Sequence, residues 1–430
     1  MSIPIKNLLM SRAAKLPILL LALSTASGPP AFAVSPAEAR PEATIEKAVA
    51  PEWELLRSKA VSLYSQSNFS DALKAAEQAL EIALANFGAN DGRLGASYNN
   101  VAANQYALGD YQKAYHNYDN AIENYLTVYG PRSFNVAILL SNQGEAARFL
   151  DIPDTAERKI REAIQILEAI NDPAHRPLLY AALANLANLR LDAMDLPEAE
   201  LFQNRATKLS EALYGAESAE TASAYTSLAR VKLAQGNASQ AKEMLETSIP
   251  ILERDLGRDH VDVAYAKEVK ADVLFQLKKY SAALSFINES IENHKSRFGS
   301  DSSNIADALA LRGNISGGLG DFVSAEKDAV DAEKLLTEQL GAKHSRVYVA
   351  KFGRSFIYLN QKRYEEAENL ALEVLDYFER KGNNPLMTFN SLGVLFDIYD
   401  QTERADKRDA LIPRADELRS KLNLPSLQKE

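Results

Sequence analysis

From residue 51 onward, apolar residues follow the period of an α-helix, and small residues recur at a much longer period. Within one segment the apolar positions lie three or four residues apart, as in Ile160, Ile164 and Leu167, which predicts helices with one buried face. Along the chain, an alanine after a turn signal recurs every 42 or 43 residues, with a last interval of 38. These alanines are Ala72, Ala114, Ala156, Ala199, Ala241, Ala283, Ala325, Ala367 and Ala405. Such a period predicts a repeated supersecondary unit.

Two further columns of small residues keep the same register. Twelve residues before the alanines stand Ala60, Ala102, Gly144, Ala187, Ala229, Ala271, Gly313, Ser355 and Gly393. Seven residues after the first seven alanines stand Ala79, Ala121, Ala163, Ala206, Ser248, Ser290 and Ala332. Small side chains let two helices approach closely where they cross, and a single hairpin cannot bury its apolar face alone. The sequence therefore predicts an all-α fold, a helical-hairpin solenoid of about nine helix pairs.

The spacing of the small residues, with Gly109-Asp110-Tyr111 before a second helix, resembles the tetratricopeptide repeat (TPR). The long unit is similar to the kinesin-light-chain type, whose Leu-Gly-x-x-His-x-x-Val-Ala linker appears at residues 256–264. HEAT and armadillo repeats have comparable periods, but they lack this spacing of small residues. The resemblance covers about residues 51–421 and implies a TPR superhelix whose first helices line a concave, peptide-binding groove.

The N-terminus has the order of an export signal. Residues 1–15 carry Lys6, Arg12 and Lys15 without an acid, residues 16–23 are apolar, and small residues end in Ala31-Phe32-Ala33. This order is typical of a cleavable signal peptide, and the apolar run is too short to span a bilayer. The alternatives are that this N-terminal segment is a mitochondrial or plastid transit peptide, or an uncleaved membrane anchor.

These boundaries divide the chain into four parts. We expect a signal peptide over 1–33, a flexible linker over 34–50, the repeat array over 51–421 and a C-terminal tail over 422–430. A periplasmic or secreted location follows, with an organelle lumen as the alternative and no stable membrane insertion of the mature chain.

Composition and the absence of catalytic motifs reduce the number of possible functional classes. The chain has 48 Lys and Arg against 58 Asp and Glu, a formal charge of −10, which disfavours a nucleic-acid partner. It has no cysteine, so disulfides, thiolate nucleophiles and Cys-ligated zinc are excluded. No nucleophile elbow, P-loop or dinucleotide fingerprint appears. We therefore expect no enzyme activity, no cofactor and no metal.

The five histidines need a separate explanation. Three of them share a repeat column just before the first helix of each unit, where Asp or Ser stands in other units: Asp91, Ser133, His175, Ser218, His260, Ser302 and His344. Side chains of this kind cap the N-terminus of a helix, so the column is predicted to be structural. His116 and His294 have no partner at the spacing of a zinc pair.

Asparagines provide one candidate binding surface. Residues 98–102, Tyr-Asn-Asn-Val-Ala, match the family's Leu-Asn-Asn-Leu-Ala stretch, whose asparagines pair with a peptide backbone. The candidates are Asn99, Asn100, Asn142, Asn185 and Asn188. An amide offers both a donor and an acceptor to a main chain. The alternative is that these amides satisfy neighbouring helix ends or face water.

A basic column is the second candidate. Lys270, Arg312 and Arg354 lie 42 residues apart, and Arg230 is a further candidate for partner binding. Equal spacing in a solenoid predicts one strip within reach of a carboxylate ligand. In the family this column is normally apolar. Acids such as Glu268 and Asp272 lie close enough to neutralise the strip, which would then be an ordinary solvated face.

Two functional classes follow. The leading hypothesis is an exported, non-catalytic adaptor that binds a peptide or protein segment in the concave groove. The alternative is an assembly scaffold that acts through its convex face, its ends or self-association.

Overall fold

The computed structural model describes residues 46–298, 303–382 and 384–422, and these residues form eighteen α-helices in nine antiparallel pairs. The helices are α1 (Glu46–Ser65), α2 (Phe69–Asn86), α3 (Gly92–Ala107), α4 (Tyr111–Tyr129), α5 (Phe134–Phe149), α6 (Pro153–Ile170), α7 (Arg176–Asp192), α8 (Leu196–Tyr214), α9 (Ala219–Ala234), α10 (Ala238–Leu256), α11 (Val261–Gln276), α12 (Tyr280–Phe298), α13 (Ser303–Gly318), α14 (Phe322–Leu340), α15 (Ser345–Asn360), α16 (Tyr364–Lys381), α17 (Pro385–Gln401) and α18 (Ala405–Lys421). Odd-numbered helices are the first helices of the units. The predicted solenoid of nine helix pairs is confirmed.

The ends of the array differ slightly from the predicted boundaries. Helix α1 begins at Glu46, so part of the linker predicted over 34–50 belongs to it, and Pro51 lies inside the helix. At the other end, α18 runs to Lys421, where the array was predicted to stop. The predicted signal peptide and residues 423–430 of the predicted tail lie outside the described residues.

Among the described residues, the column before the first helices caps them with one exception, and Ser302 lies outside those residues. Ser133 Oγ accepts the backbone N–H of Val136, and the Asp91 and Ser218 side chains accept equivalent bonds. The Nδ1 atoms of His260 and His344 accept from the second residue of their helices, each at 3.2 Å. The cap prediction is wrong for His175, because a 3₁₀ turn (Pro173–His175) precedes α7 and Asp172 caps that turn instead. The His175 ring packs on Phe134, with ring centroids 4.0 Å apart.

The small columns lie where the two helices of a unit cross. A Cβ atom added to Gly313 would lie 3.0 Å from the backbone oxygen of Ala325, which belongs to the alanine column of the same unit. The alanines of that column from Ala72 to Ala367 are fully buried. Larger side chains would separate the helices at Gly313, as predicted, whereas a Cβ atom on Gly393 of the same column would meet nothing within 4 Å.

First helices occupy the inside of the superhelix and second helices the outside. Every residue of α5 from Asn135 to Ala147 is buried, whereas α6 buries only one stripe, which includes Ile160 and Leu167. A helix buried on all sides has neighbours on all sides. At α5, the concave side of this superhelix is therefore covered by the protein itself.

The covering comes from units about five positions apart along the chain. His344 Nε2 lies 2.7 Å from the backbone oxygen of Phe149, across 195 residues. Arg297 Nη1 donates to the backbone oxygen of Gln66 at 3.2 Å, across 231 residues. The superhelix thus turns back onto itself along two seams.

Candidate functional site

A column of polar residues runs along the inner face of the first helices and links one unit to the next. Its members lie 42 or 43 residues apart, on α5, α7, α9, α11 and α13: Glu145, Asn188, Arg230, Asp272 and Asn314. With Arg148 and Asp192, which bind to it, we call this set the inner row. The sequence analysis included Asn188 and Arg230 but missed the others, although the 42-residue period of the column was a usable signal.

Arg148 makes the most side-chain hydrogen bonds within the inner row. Its Nε and Nη2 atoms donate to both carboxylate oxygens of Glu145, at 2.9 and 2.8 Å, and Nη1 donates to Asp192 of the next first helix. Tyr106 OH donates to Glu145 at 3.3 Å from the preceding first helix. Burial opposes the charge of Arg148, but the carboxylates of Asp192 and Glu145 raise its pKa well above the ordinary value. The guanidinium therefore remains charged and bridges two units.

Arg230 extends the inner row to the following units. Its side chain is 6% exposed, its Nη2 atom lies 3.7 Å from Asp192 Oδ1, and its Nη1 atom donates to Tyr265 OH at 2.9 Å. The Nε and Nη2 atoms have no hydrogen-bond partner in the protein. Arg230 therefore keeps donor capacity that its neighbours do not use.

Asp272 differs from the other carboxylates of the inner row, because no cation binds it directly. Burial and the neighbouring Glu268 raise its pKa to about 7, although Gln276 and Arg230 act in the opposite direction. Its Oδ1 atom has no hydrogen-bond partner, and the same is true of Gln276 Oε1 and Asn314 Oδ1.

Buried polar atoms without hydrogen-bond partners recur from one unit to the next. Atoms without hydrogen-bond partners occur on four successive first helices, α7, α9, α11 and α13, through Asp192, Arg230, Asp272 and Asn314. Buried polar groups in folded proteins are almost always hydrogen-bonded, so a row of exceptions needs an explanation. The arrangement offers carboxylate and amide oxygens and one guanidinium to a ligand that follows the inner face.

A cavity of about 240 Å³ lies at one end of the inner row. One wall carries Arg148, Asp192 and Leu189 of the third and fourth units, and the other carries His344, Arg346 and Phe378 of the eighth. The cavity thus lies between two successive turns of the superhelix. Its lining combines both signs of charge with apolar surface, as expected for a site that holds a polar backbone and a hydrophobic side chain.

The predicted asparagines lie in the contacts between first helices. Asn99, Asn100 and Asn142 are 2%, 5% and 3% exposed, and Asn185 Nδ2 donates to Ser141 Oγ of the preceding first helix at 3.1 Å. Asn188 is half-buried. Asn99 Oδ1 has no hydrogen-bond partner, so at least one of these amides retains an unused acceptor.

The predicted basic column faces the second helices. Lys270 Nζ lies 3.4 Å from Glu246, Arg312 makes two bonds of 2.7 Å to Asp328, and Arg354 lies 3.0 Å from Glu333. All three carboxylates belong to second helices, α10 or α14. The acids that neutralise this column are therefore these three, and not Glu268 and Asp272 of the same first helix.

In the part of the chain that the structure describes, no group of three or more His, Asp or Glu side chains is placed to hold a metal ion. None of the helices given above is both long and apolar enough to cross a bilayer.

The family follows from the repeat units. The family profile described as Tetratricopeptide repeat matches residues 93–169 and 178–254, which correspond to α3–α6 and α7–α10. The chain carries tetratricopeptide repeats over these residues. Its units continue at the same period beyond the matched residues as far as α16, and a shorter interval of 38 residues leads to α18. The predicted family is confirmed.

Among curated proteins, this TPR chain is similar to clustered mitochondria protein homologs. The match to the Aedes aegypti protein is 26% identical over 187 residues, and it covers 44% of this chain and 13% of that protein. The Culex quinquefasciatus protein matches at 26% over 187 residues, or 14% of its length. The chain thus corresponds to a small part of these relatives.

Among solved structures, the TPR array is similar to a Rap protein complexed with Competence and Sporulation Factor. The TM-score is 0.63 at 13% identity, over 87% of this chain and 99% of that chain. NprR in complex with its cognate peptide NprX gives a TM-score of 0.54 at 12% identity, over 74% and 87% of the two chains. At such identities the likeness shows a shared fold.

Proposed function

We propose that this TPR protein is an exported, non-catalytic adaptor that binds an extended peptide or protein segment along the inner face of its first helices. The observation that carries the proposal is the series of buried polar atoms without partners on Asp192, Arg230, Asp272 and Asn314. A peptide backbone carries a donor and an acceptor in each residue, so it matches a surface that offers both. The structure of NprR, whose fold is similar to that of this chain, was solved in complex with its cognate peptide.

The inner row is suited to a partner that carries both hydrogen-bond donors and hydrogen-bond acceptors. Arg230 offers donors to a carbonyl or carboxylate, whereas Asp272 and Asn314 offer acceptors to N–H groups. The predicted asparagines extend the same kind of surface towards α3, where Asn99 has an unused acceptor. Phosphate backbones are disfavoured as partners, because the chain carries a formal charge of −10.

The binding test uses a synthetic library of extended peptides. Peptides selected on the purified wild-type chain are then measured by calorimetry against Arg230→Met and against Asn142→Ala/Asn185→Ala. We expect Arg230→Met to bind about tenfold more weakly, since one charged hydrogen bond contributes roughly 1.5 kcal/mol. Asn142→Ala/Asn185→Ala should weaken binding by a similar factor, because it removes two neutral hydrogen bonds of about 0.5–1.5 kcal/mol each. Arg254→Met is the matched control, because Arg254 is exposed on second helix α10. Selected peptides that bind all variants equally would remove the proposal.

The export step has its own test. Isolation of the protein from cells and mass spectrometry of its N-terminus should give a chain that begins at Val34, after the Ala31-Phe32-Ala33 sequence. An intact N-terminus would contradict a cleaved signal peptide and leave the binding proposal unaffected.

A second candidate function, self-association through the outer face, rests on exposed leucines. Leu84 and Leu126 occupy equivalent positions of second helices α2 and α4 and are 55% and 42% exposed. Light scattering after size exclusion would detect an oligomer that grows with concentration. If Leu84→Glu/Leu126→Glu dissociates that oligomer, this candidate is supported, and a monomer at all concentrations excludes it.

A further inference from the structure

Three side chains join the turn between α5 and α6 to helix α16, which lies five units further along the chain. Tyr377 OH donates to Asp151 Oδ2 at 3.1 Å, and Lys381 Nζ donates to the same oxygen at 2.5 Å. The two contacts span 226 and 230 residues. We call Asp151, Tyr377 and Lys381 the clasp.

The clasp lies at the mouth of the 240 Å³ cavity. Asp151 itself lines that cavity, together with Phe378, which follows Tyr377 on α16. His344 lines it as well, and its contact with the Phe149 carbonyl closes the same seam two residues before Asp151. The clasp and the His344–Phe149 contact therefore join the two superhelical turns beside the cavity.

The clasp is held by polar contacts on one side of a short turn. Asp151 is a non-glycine residue with φ +61°, so its carboxylate is presented by a tight turn rather than by a helix face. Lys381 is the last residue of α16, and its side chain is 37% exposed. Contacts of this kind, at helix ends and near solvent, open at a lower free energy than packed helix cores.

The inner row is too buried for a ligand to reach in the closed form. Arg230 is 5% exposed, Asp272 7% and Asn314 6%. A segment that uses these atoms must first separate successive turns of the superhelix, and the clasp seam borders a part of the inner row where a cavity already exists.

We infer that the clasp is a gate that opens to admit a ligand to the cavity between the two superhelical turns. The identity of the ligand rests on the proposed function, whereas the opening itself does not. Opening breaks the contacts of Asp151 and the His344–Phe149 contact, and it leaves the helix pairs on both sides intact.

The test measures access to the cavity without any ligand. The chain has no cysteine, so a single introduced thiol can be followed by its reaction with the disulfide reagent DTNB. Leu189→Cys places that thiol in the cavity wall, where Leu189 is 5% exposed. Leu245→Cys places one in the core of α10, where Leu245 is fully buried and distant in sequence from either seam.

The clasp variant is Tyr377→Phe/Lys381→Met, which keeps the ring stacked on Tyr348 and the length of the lysine stem. We expect the Leu189→Cys thiol to react at least tenfold faster in this background, since about tenfold is the factor for loss of even one of the two charged hydrogen bonds to Asp151. The Leu245→Cys thiol should react at an unchanged rate. The matched control is Lys327→Met/Lys334→Met, which removes two exposed lysines on α14.

Each outcome is decisive. Acceleration at Leu189→Cys alone supports the gate. Equal acceleration at both thiols means general destabilisation, and an unchanged rate at both means that the clasp does not control access; either result overturns the inference. Peptide binding that fails while the thiol result holds would reject the proposed function and leave the gate in place.

Discussion

Gly144 of α5 lies directly against Ile160 of α6, since a Cβ atom on Gly144 would be only 2.5 Å from Ile160 Cγ1 and 3.0 Å from the Ala156 backbone oxygen. The third unit therefore has no room for even a methyl group at this helix crossing. We expect Gly144→Ala to reduce the free energy of unfolding by about 1–3 kcal/mol, as overpacking does in well-packed cores.

Gly393 provides the matched control for this prediction. It occupies the same repeat column in α17, but a Cβ atom there would meet nothing within 4 Å. Gly393→Ala should stabilise the chain by roughly 0.5–1 kcal/mol, because alanine loses less backbone entropy in a helix. Urea unfolding of both variants checks the pair, and effects of the same sign would contradict the crossing geometry.

Arg148 is expected to be the most sensitive cation of the inner row. Arg148→Met leaves the buried carboxylate of Glu145 and the half-buried carboxylate of Asp192 without their common partner, which costs about 3–5 kcal/mol. The double variant Arg148→Met/Asp192→Asn should lose less than the sum of the single losses, since one of the stranded charges is gone. Additive losses in denaturant unfolding would show that the two side chains act independently.

Asp272 makes the stability depend on pH. Its pKa is raised from the ordinary value of 3.8 to about 7, so the folded chain binds the proton more tightly than the unfolded chain. The contribution of this group is fully favourable below pH 3.8 and is lost as the pH rises through about 7. The loss is on the order of 1.4 kcal/mol for each pH unit within that window.

The variant Asp272→Asn should remove that dependence. Relative to wild type, it should gain stability between pH 5 and pH 8 in thermal unfolding, because the neutral amide carries no charge to bury. Asp255→Asn is the control, since Asp255 is an exposed carboxylate whose pKa is lowered by its hydrogen bond to Arg254. A constant difference between Asp272→Asn and wild type across this range would exclude the assigned burial effect.

Two helix N-termini, one with a side-chain cap and one without, can be compared directly. Ser133 Oγ accepts the Val136 N–H at the start of α5, whereas Asn237 stands before α10 without a side-chain cap bond. Ser133→Ala should cost about 1 kcal/mol and Asn237→Ala clearly less. Chemical denaturation compares them, and equal losses would mean that the observed cap bond contributes nothing.

The local patterns of the sequence were sufficient for the fold because each unit repeats the same crossing. Small residues such as Gly144 and Ala156 mark that crossing directly, and capping residues such as Ser133 mark the helix starts. His175 was misassigned because Pro173 and Asp172 form a separate turn before α7. Short-range chemistry thus determines the units and most of their boundaries.

The site was less accessible to prediction for a geometric reason. Lys270 and Arg312 share a column, but which side of the helix that column faces depends on a rotation of a few tens of degrees, and both point to second helices. The contact of Asp151 with Lys381 depends on the rotation between units summed over five units. No local pattern encodes that sum, so the covered interior could not be predicted from the sequence.

Contacts across the superhelical seams change how the array should melt. An open stack of repeats loses its terminal units first, because each unit contacts only its neighbours. Here the turn after α5 is also held by α16, and Gln66 is held by Arg297. Fraying from either end is therefore resisted by units in the middle of the chain. The single tryptophan, Trp53 in α1, and the total helix signal should consequently disappear at one common temperature rather than in succession.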